Sequence, residues 1–151
     1  KSRNLVIEKT NINLENVLKE VIDNLSFAYS KQKMNYNSSE IYINSDEALL
    51  KLLFKNLIEN AIKYGNNNPV NVVLRKEKKI KVVIEDFGIG MSKEALPHIF
   101  ERFYREDEAR NREIKSYGLG LSIVKEIVTL LDIDIQVESQ IDKGTKITLL
   151  F

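Results

Sequence analysis

Asn56 and Asn60 stand one helical turn apart in the stretch NLIENAIKYG, with Lys63 and Tyr64 just beyond them. Leu57, Ile58, Ala61 and Ile62 would make an ordinary buried helix face. Asparagine is a poor helix former, because its side chain competes for backbone hydrogen bonds. At 3.6 residues per turn, Asn56, Asn60 and Lys63 fall within about 60° of one another. They border the apolar stripe through Leu50, Phe54, Leu57, Ile58 and Ala61, so the polar cluster belongs at the edge of the core, facing a rim or cleft. An Asn carbonyl oxygen is a hard, neutral ligand suited to Mg²⁺. A lysine supplies a point charge for phosphate. The same pattern also reads as two half-exposed asparagines on a surface helix.

Three further stretches carry candidate chemistry. In EDFGIGMS, an apolar strand runs into Asp86, followed by Gly88 and Gly90. Glycines permit positive φ and close approach of a ligand to the backbone, and a carboxylate at a strand end accepts from an exocyclic amine. The alternative is a tight turn with a solvated acid. In SYGLGLSIVKEIV, Gly118 and Gly120 precede a helix built on Ile123, Val124, Ile127 and Val128. Bare N–H groups and the positive dipole end suit phosphate there. No Gly-Lys-Ser/Thr follows, so this is not a Walker A loop; a flexible joint is the ordinary alternative. In HIFERFYRED, Phe100 and Phe103 share a helical face, as do Arg102 and Arg105. Arginines clamp phosphate oxygens, although an amphipathic helix with solvated arginines has the same pattern. Between Glu101 and Lys115 the charges balance, five acidic and five basic, which predicts a mobile, solvated loop rather than a nucleic-acid arm.

The elements that must position these residues follow from periodicity. Leu5 to Glu8 reads as a short strand. Asn13 caps a helix through Val17, Leu18, Val21, Ile22, Leu25 and Ala28, at spacings of three and four. NYNSSEIYINS reads as two short strands around a turn. Ser45 is the expected N-cap of the asparagine-bearing helix, with Asp46 and Glu47 in its first turn. That helix ends near Gly65, and GNNNP is a turn. VNVVLRKEKKIKVVIEDFG is a hairpin with a charged tip. A short helical patch is expected near Lys93 to Phe100, a helix from about Leu119 to Leu131, and two closing strands in DIQVES and TKITLLF. The irregular alternation predicts an α+β, two-layer α/β sandwich, a mixed sheet covered on one face by helices.

Composition narrows the classes. The 151 residues suit one domain, 43% are hydrophobic and 30% charged, and the net charge of +1 gives no nucleic-acid or lipid surface by bulk charge. The chain has no cysteine and a single histidine, His98, which excludes thiolate and histidine metal sites. No apolar run approaches the roughly 20 residues that span a bilayer. The chain starts at Lys1 without Met, as a fragment of a longer protein would.

Each motif is modest alone; the succession is specific. The order resembles the ATP-binding domain of sensor histidine kinases, the family that shares its Bergerat-type fold with gyrase and MutL-type ATPases. The family's N box matches LFKNLIENAIKY, its G1 box DFGIGM, its F box IFERFYR and its G2 box YGLGLSIVK, and KGT at 143–145 resembles its last glycine element. The resemblance covers about 5–151 and implies one domain, 1–151, with an ATP lid at about 91–117. It implies that Asn60 binds Mg²⁺ with Asn56 in support, and that Lys63 and Tyr64 contact the phosphates of ATP. Asp86 would read the adenine amine, with Gly88 and Gly90 shaping the pocket. Tyr117, Gly118, Leu119, Gly120 and Leu121 would close over the phosphates, and Thr145 would add a nucleotide contact. Arg105, with Arg102, would sit near the γ-phosphate. Asn56, Lys63 and Arg105 are the expected catalytic residues.

Two departures refine this expectation. The related ATPases carry a water-activating glutamate where this chain has Asn56, which lacks useful basicity. Glu59 lies about 60° further round the helix, away from the core. The resemblance therefore implies phosphoryl transfer over hydrolysis, with the acceptor histidine on a dimerisation hairpin absent from this chain. No His-Glu-x-x-x-Pro-like motif is present, and His98 is expected to pack or cap. Ser116 and Tyr117 replace the Gly-Thr common before Gly-Leu-Gly-Leu, which implies a stiffer lid hinge or a different closure. The implied partners are that hairpin and a response regulator, without nucleic acid. The full-length protein is expected to be a homodimer and this piece a monomer, a cytoplasmic domain of a membrane protein. The alternatives are an ATPase or clamp module of the same fold and a partner-binding module without nucleotide.

Overall fold

The structure is a computed structural model that describes residues 6–101 and 117–151, with backbone alone at 117–120. A five-stranded sheet has the order β2(Met34–Asn37)-β4(Val70–Lys76)-β5(Ile80–Asp86)-β7(Gly144–Leu150)-β6(Asp134–Gln140). β2 runs parallel to β4, and the other pairs are antiparallel. β1(Thr10–Asn13) and β3(Tyr42–Ser45) form a separate antiparallel pair.

Alternation decides which face of the large sheet is covered. Side chains on a strand point to opposite faces in turn, and ladder partners share a face. Val72, Ile84 and Ile147 make one buried row, and Leu74, Val82 and Leu149 make the next. Asn71, Glu85, Lys146 and Glu138 form a polar row on the other face. The apolar face is covered by α1(Leu14–Ala28), α2(Glu47–Lys63) and α3(Tyr117–Leu130). α2 is the central helix: it packs against α1, α3, β4 and β5, and buries Leu50, Leu53, Phe54, Leu57 and Ile58 completely. The expected two-layer sandwich is the one observed.

Local chemistry corrects several boundaries. Residues 6–8 form no strand, because the Glu8 N–H donates to Asp46 Oδ2 at 2.8 Å instead of to a ladder. Asn13 caps α1 as expected, its Oδ1 accepting from the Asn16 N–H. The cap of α2 is Asp46 rather than Ser45: Asp46 Oδ1 accepts from the Leu49 N–H at 2.9 Å, while Ser45 is spent as the last residue of β3, paired with Thr10.

β2 and β3 exist but do not pair with each other. The link between them holds the start of α1, with Tyr36 and Ser38 hydroxyls on Glu15 and the Ile41 carbonyl accepting from the Leu14 N–H. The expected patch near Lys93–Phe100 reduces to a 3₁₀ turn at Leu96–His98. Gly118 and Gly120 lie inside the first turn of α3, not ahead of it.

Candidate functional site

Asp86 ends β5, and the ladder register sets Thr145 of β7 and Ser139 of β6 beside it in one row. The row continues the helix-covered face of the sheet to its end. Asp86 is 7% exposed. Its Oδ1 accepts the Gly88 N–H at 3.0 Å. Burial pushes the Asp86 carboxyl up to about 6, against the pull of the Gly88 and Thr145 N–H groups, which favour the charged form. Asp86, Ser139, Gly144 and Thr145 line an open groove of 280 Å³ together with Glu85, Glu138 and Lys146 of the outer polar row, so the groove straddles the end of the sheet.

The loop after β5 lies against the end of α2. The Ile89 N–H donates to the Tyr64 carbonyl at 3.1 Å, Asn68 Nδ2 donates to the Phe87 carbonyl at 2.7 Å, and the Asp142 N–H donates to the Ile89 carbonyl at 2.8 Å. Approach this close requires glycine. A Cβ at Gly88 would stand 1.8 Å from the Tyr64 carbonyl oxygen. Gly90 has φ +67°, and a Cβ there would stand 2.0 Å from the Gln140 carbonyl oxygen. Gly88→Ala is therefore expected to push the loop off α2 and destabilise the domain by about 1–3 kcal/mol, the usual range for overpacking. Thermal unfolding checks this; an unchanged melting temperature would show that the loop has slack the contacts do not reveal.

The polar edge of α2 resolves into distinct roles. Asn56 is half-buried, and its Nδ2 donates to the Leu52 carbonyl at 2.8 Å. Asn60 lies a turn further on, and among the described residues its buried Nδ2 has no hydrogen-bond partner. A buried amide without a partner costs roughly 1–3 kcal/mol, which marks Asn60 as a polar group that the described fold does not itself use. As placed, the nitrogen suits a phosphate oxygen; a half-turn of the amide presents its oxygen to a cation. No group of three His, Asp or Glu side chains among the described residues could hold a metal alone. A single neutral oxygen fits Mg²⁺ only where ligand phosphates complete the shell, which is the usual habit of that ion.

Lys63 is exposed and lines an open groove of 420 Å³ with Tyr29, Lys31, Gln32 and Asn67. Tyr64 caps the helix and is 8% exposed, and burial raises its phenol pKa. Its ring lies inside rather than beside Lys63 on the surface, and its carbonyl carries the loop. Glu59 faces α1, where its carboxylate accepts the Tyr29 hydroxyl at 2.7 Å. Burial, and then Glu59, push that phenol up to about 12.

Tyr117, Gly118, Leu119 and Gly120 supply the first turn of α3, where backbone N–H groups have no intrahelical acceptor. Leu121 is buried in the core. Arg102 and Arg105 lie outside the described residues, as does most of the expected lid. In its described part, Met91, Ala95 and Ile99 are buried. His98 Nδ1 lies 2.8 Å from Glu101 Oε2, an exposed side-chain pair that is neither the packing nor the capping expected.

Sequence reasoning missed Ser139 and Gly65. Ser139 occupies the inward position after Ile135 and Val137, where alternation calls for an apolar residue, and that breach was the available signal. Gly65 brings the end of α2 against β5: a Cβ there would stand 2.4 Å from the Ala61 carbonyl oxygen and 3.6 Å from the Asp86 Cβ.

Residues 45–151 match the family described as Histidine kinase-, DNA gyrase B-, and HSP90-like ATPase. The chain is 34% identical over 148 residues to the sensor histidine kinase YkoH of Bacillus subtilis, covering 97% of this chain and 33% of that protein. It is 43% identical over 101 residues to the signal transduction histidine-protein kinase ArlS of Staphylococcus aureus, covering 66% of this chain and 22% of that protein. The chain thus spans a third or less of these relatives. Among solved structures, the mycobacterial sensor histidine kinase MprB superposes with TM-score 0.82 at 22% identity, covering 95% of this chain and 97% of that one. Full-length ShkA in complex with AMPPNP superposes with TM-score 0.83 at 21% identity, covering 99% of this chain and 32% of that one.

Proposed function

The chain belongs to the histidine kinase-, DNA gyrase B-, and HSP90-like ATPase family, as an ATP-binding catalytic domain of the sensor histidine kinase type, and from that premise we propose that it passes the γ-phosphoryl of ATP to a histidine outside this chain. The base sits against the row of Asp86, Thr145 and Ser139, beside the loop pinned to α2. The carboxylate accepts from the exocyclic amine of adenine; the keto group of guanine has no hydrogen to give. Asn60 turns its unpartnered amide to the phosphates, and Lys63, exposed beside Tyr29 at the end of α2, is the cation proposed to reach them from there. Mg²⁺, when bound with the nucleotide, neutralises phosphate charge; Asn60 is the residue that would hold it. The ShkA complex with AMPPNP is consistent with nucleotide binding on this fold.

One observation favours transfer over hydrolysis. The α2 position that would need a base holds Asn56, whose amide is tied to Leu52, and the nearby carboxylate, Glu59, is held by Tyr29 on the opposite side of the helix edge. Water has no placed base. In the transfer, a histidine ring nitrogen attacks the γ-phosphorus, the bond to the β–γ bridging oxygen breaks, ADP leaves and the ring N–H proton is released. Positioning and charge neutralisation supply most of the catalysis. Arg105, with Arg102, is the expected cation at the departing phosphoryl. The acceptor hairpin and a response regulator are the proposed partners, in a homodimeric parent held at a membrane with this domain in the cytoplasm. Among the described residues no helix is long and apolar enough to cross a membrane.

Asn60→Ala tests the metal role. It is expected to lower ATP affinity about tenfold with Mg²⁺ present, roughly 1.4 kcal/mol, and much less in chelator. Titration of a fluorescent ATP analogue in both conditions reads the difference. Equal losses with and without Mg²⁺ would remove Asn60 as the metal ligand.

A further inference from the structure

We propose that Ser139 is a positioning residue that turns the Thr145 hydroxyl into a fixed acceptor toward the bound base, making it a second determinant of adenine over guanine. The proposal rests on the reading of this site as an ATP site.

The argument is a proton count. A serine hydroxyl has one hydrogen to donate and two lone pairs. Ser139 Oγ has three partners: the Met91 N–H at 2.8 Å, the Gly144 carbonyl at 3.0 Å and Thr145 Oγ1 at 2.8 Å. The Met91 amide only donates, so it fills one lone pair. The Gly144 carbonyl only accepts, so it takes the hydrogen. The remaining lone pair faces Thr145, and that short contact is satisfied only if Thr145 donates. The hydrogen of Thr145 is then committed to Ser139, and its own lone pairs are all it offers elsewhere.

Thr145 is the ladder partner of Asp86 on one side and of Ser139 on the other, so the three side chains share a face. The base therefore meets acceptor beside acceptor. An amine facing this wall has two recipients, whereas a keto oxygen faces lone pairs and is repelled. The breach of alternation at Ser139 is explained as well: an apolar residue there would free the Thr145 hydrogen to point at the base, and the hydroxyl could then serve a keto group.

The experiment measures affinities for ATP, GTP and inorganic tripolyphosphate, with Mg²⁺, on this chain and four variants: Ser139→Ala, Ser139→Thr, Thr145→Val and the Ser139→Ala/Thr145→Val pair. Ser139→Ala is expected to reduce the ATP-to-GTP affinity ratio roughly three- to tenfold, the worth of one hydrogen bond, with tripolyphosphate affinity unchanged within about twofold. Ser139→Thr should restore the ratio. Thr145→Val should lower the ratio on its own, and adding Ser139→Ala to it should lower it no further. Equal losses for ATP and GTP in Ser139→Ala, or an unchanged ratio in Thr145→Val, overturns the proposal; the second result stands even if Ser139→Ala fails to fold. A parent chain that binds tripolyphosphate but no ATP, or neither, instead overturns the ATP reading, and this inference falls with it.

Discussion

Asp86→Asn is expected to make the ligand-free domain more stable above pH 6 while stripping it of most of its affinity for ATP. The two effects have one origin. Burial raises the Asp86 pKa from 3.8 to about 6, so between these values the folded chain binds more protons than the unfolded one. Stability therefore falls as pH rises through that window. What the raised pKa contributes is fully present below about pH 4 and is lost once pH passes about 6. At neutral pH the folded domain holds an ionised carboxylate where burial disfavours it, at an order-of-magnitude cost of about 3 kcal/mol. Asparagine keeps the shape without the charge, so the variant should melt higher at pH 7.5, and the gap should close toward pH 4. Binding moves the opposite way. An amide turned toward the adenine amine offers one acceptor and two donors instead of an acceptor-only group. The lost charge-assisted bond is worth about 1.5–3 kcal/mol, or roughly ten- to hundredfold in affinity. The parent should also lose ATP affinity as pH falls below about 6, and the variant should not. Thermal unfolding across pH and calorimetry with ATP and GTP read both arms. A parent whose stability does not fall between about pH 4 and pH 6 would refute burial as the cause of the shift, and equal binding of ATP and GTP by the parent would refute the adenine assignment. A site that gains stability when its working group is neutralised has the usual trade of stability for function.

Much of this architecture was legible because it is local. Asn13 and the spacing of Val17, Leu18, Val21, Ile22 and Leu25 define α1, since cap and stripe lie within one segment. The β4–β5 hairpin reads directly from alternation on either side of a charged tip. The pairing of β2 with β4 and of β1 with β3 was not legible, because each depends on partners about 30 or more residues away. What separates β2 from β3 is a set of side chains clamping α1, and no short-range signal announces it. Gly118 and Gly120 read as a loop because glycine disfavours helix interiors. In the first turn that bias is weak, since those N–H groups lack intrahelical acceptors in any case.

The site divides along the same line. Asp86 with its two glycines was visible as a type of residue at a strand end. Asn60 was visible as a polar residue spent on a helix. Ser139 showed only as a breach of alternation in β6, while Gly65 and the Tyr29–Glu59 bond were hidden, because their meaning arises only where distant elements meet. That bond bears on the central question, since it holds the carboxylate nearest Asn56 in sequence toward α1 and away from the asparagine edge of α2.

The second large effect follows from it. The isolated chain is expected to bind ATP and barely hydrolyse it, because Asn56 supplies no base and the proposed acceptor histidine lies outside this chain. Joined to a helical hairpin that carries the acceptor histidine, it should transfer the γ-phosphoryl briskly. Covalent linkage matters, since an effective concentration on the order of millimolar replaces weak affinity between free domains. The product should be acid-labile and alkali-stable, as a phosphoramidate is. Arg105→Ala should slow transfer more than it weakens ATP binding, if its charge acts mainly on the departing phosphoryl.

Transfer of label from [γ-³²P]ATP to the acceptor hairpin of the same kinase, run beside phosphate release from the chain alone, is the direct measurement. The expected result is acid-labile label on the hairpin and phosphate release near background. Brisk release by the isolated chain, with no label on the hairpin, would contradict the phosphotransfer reading and identify the domain as an ATPase.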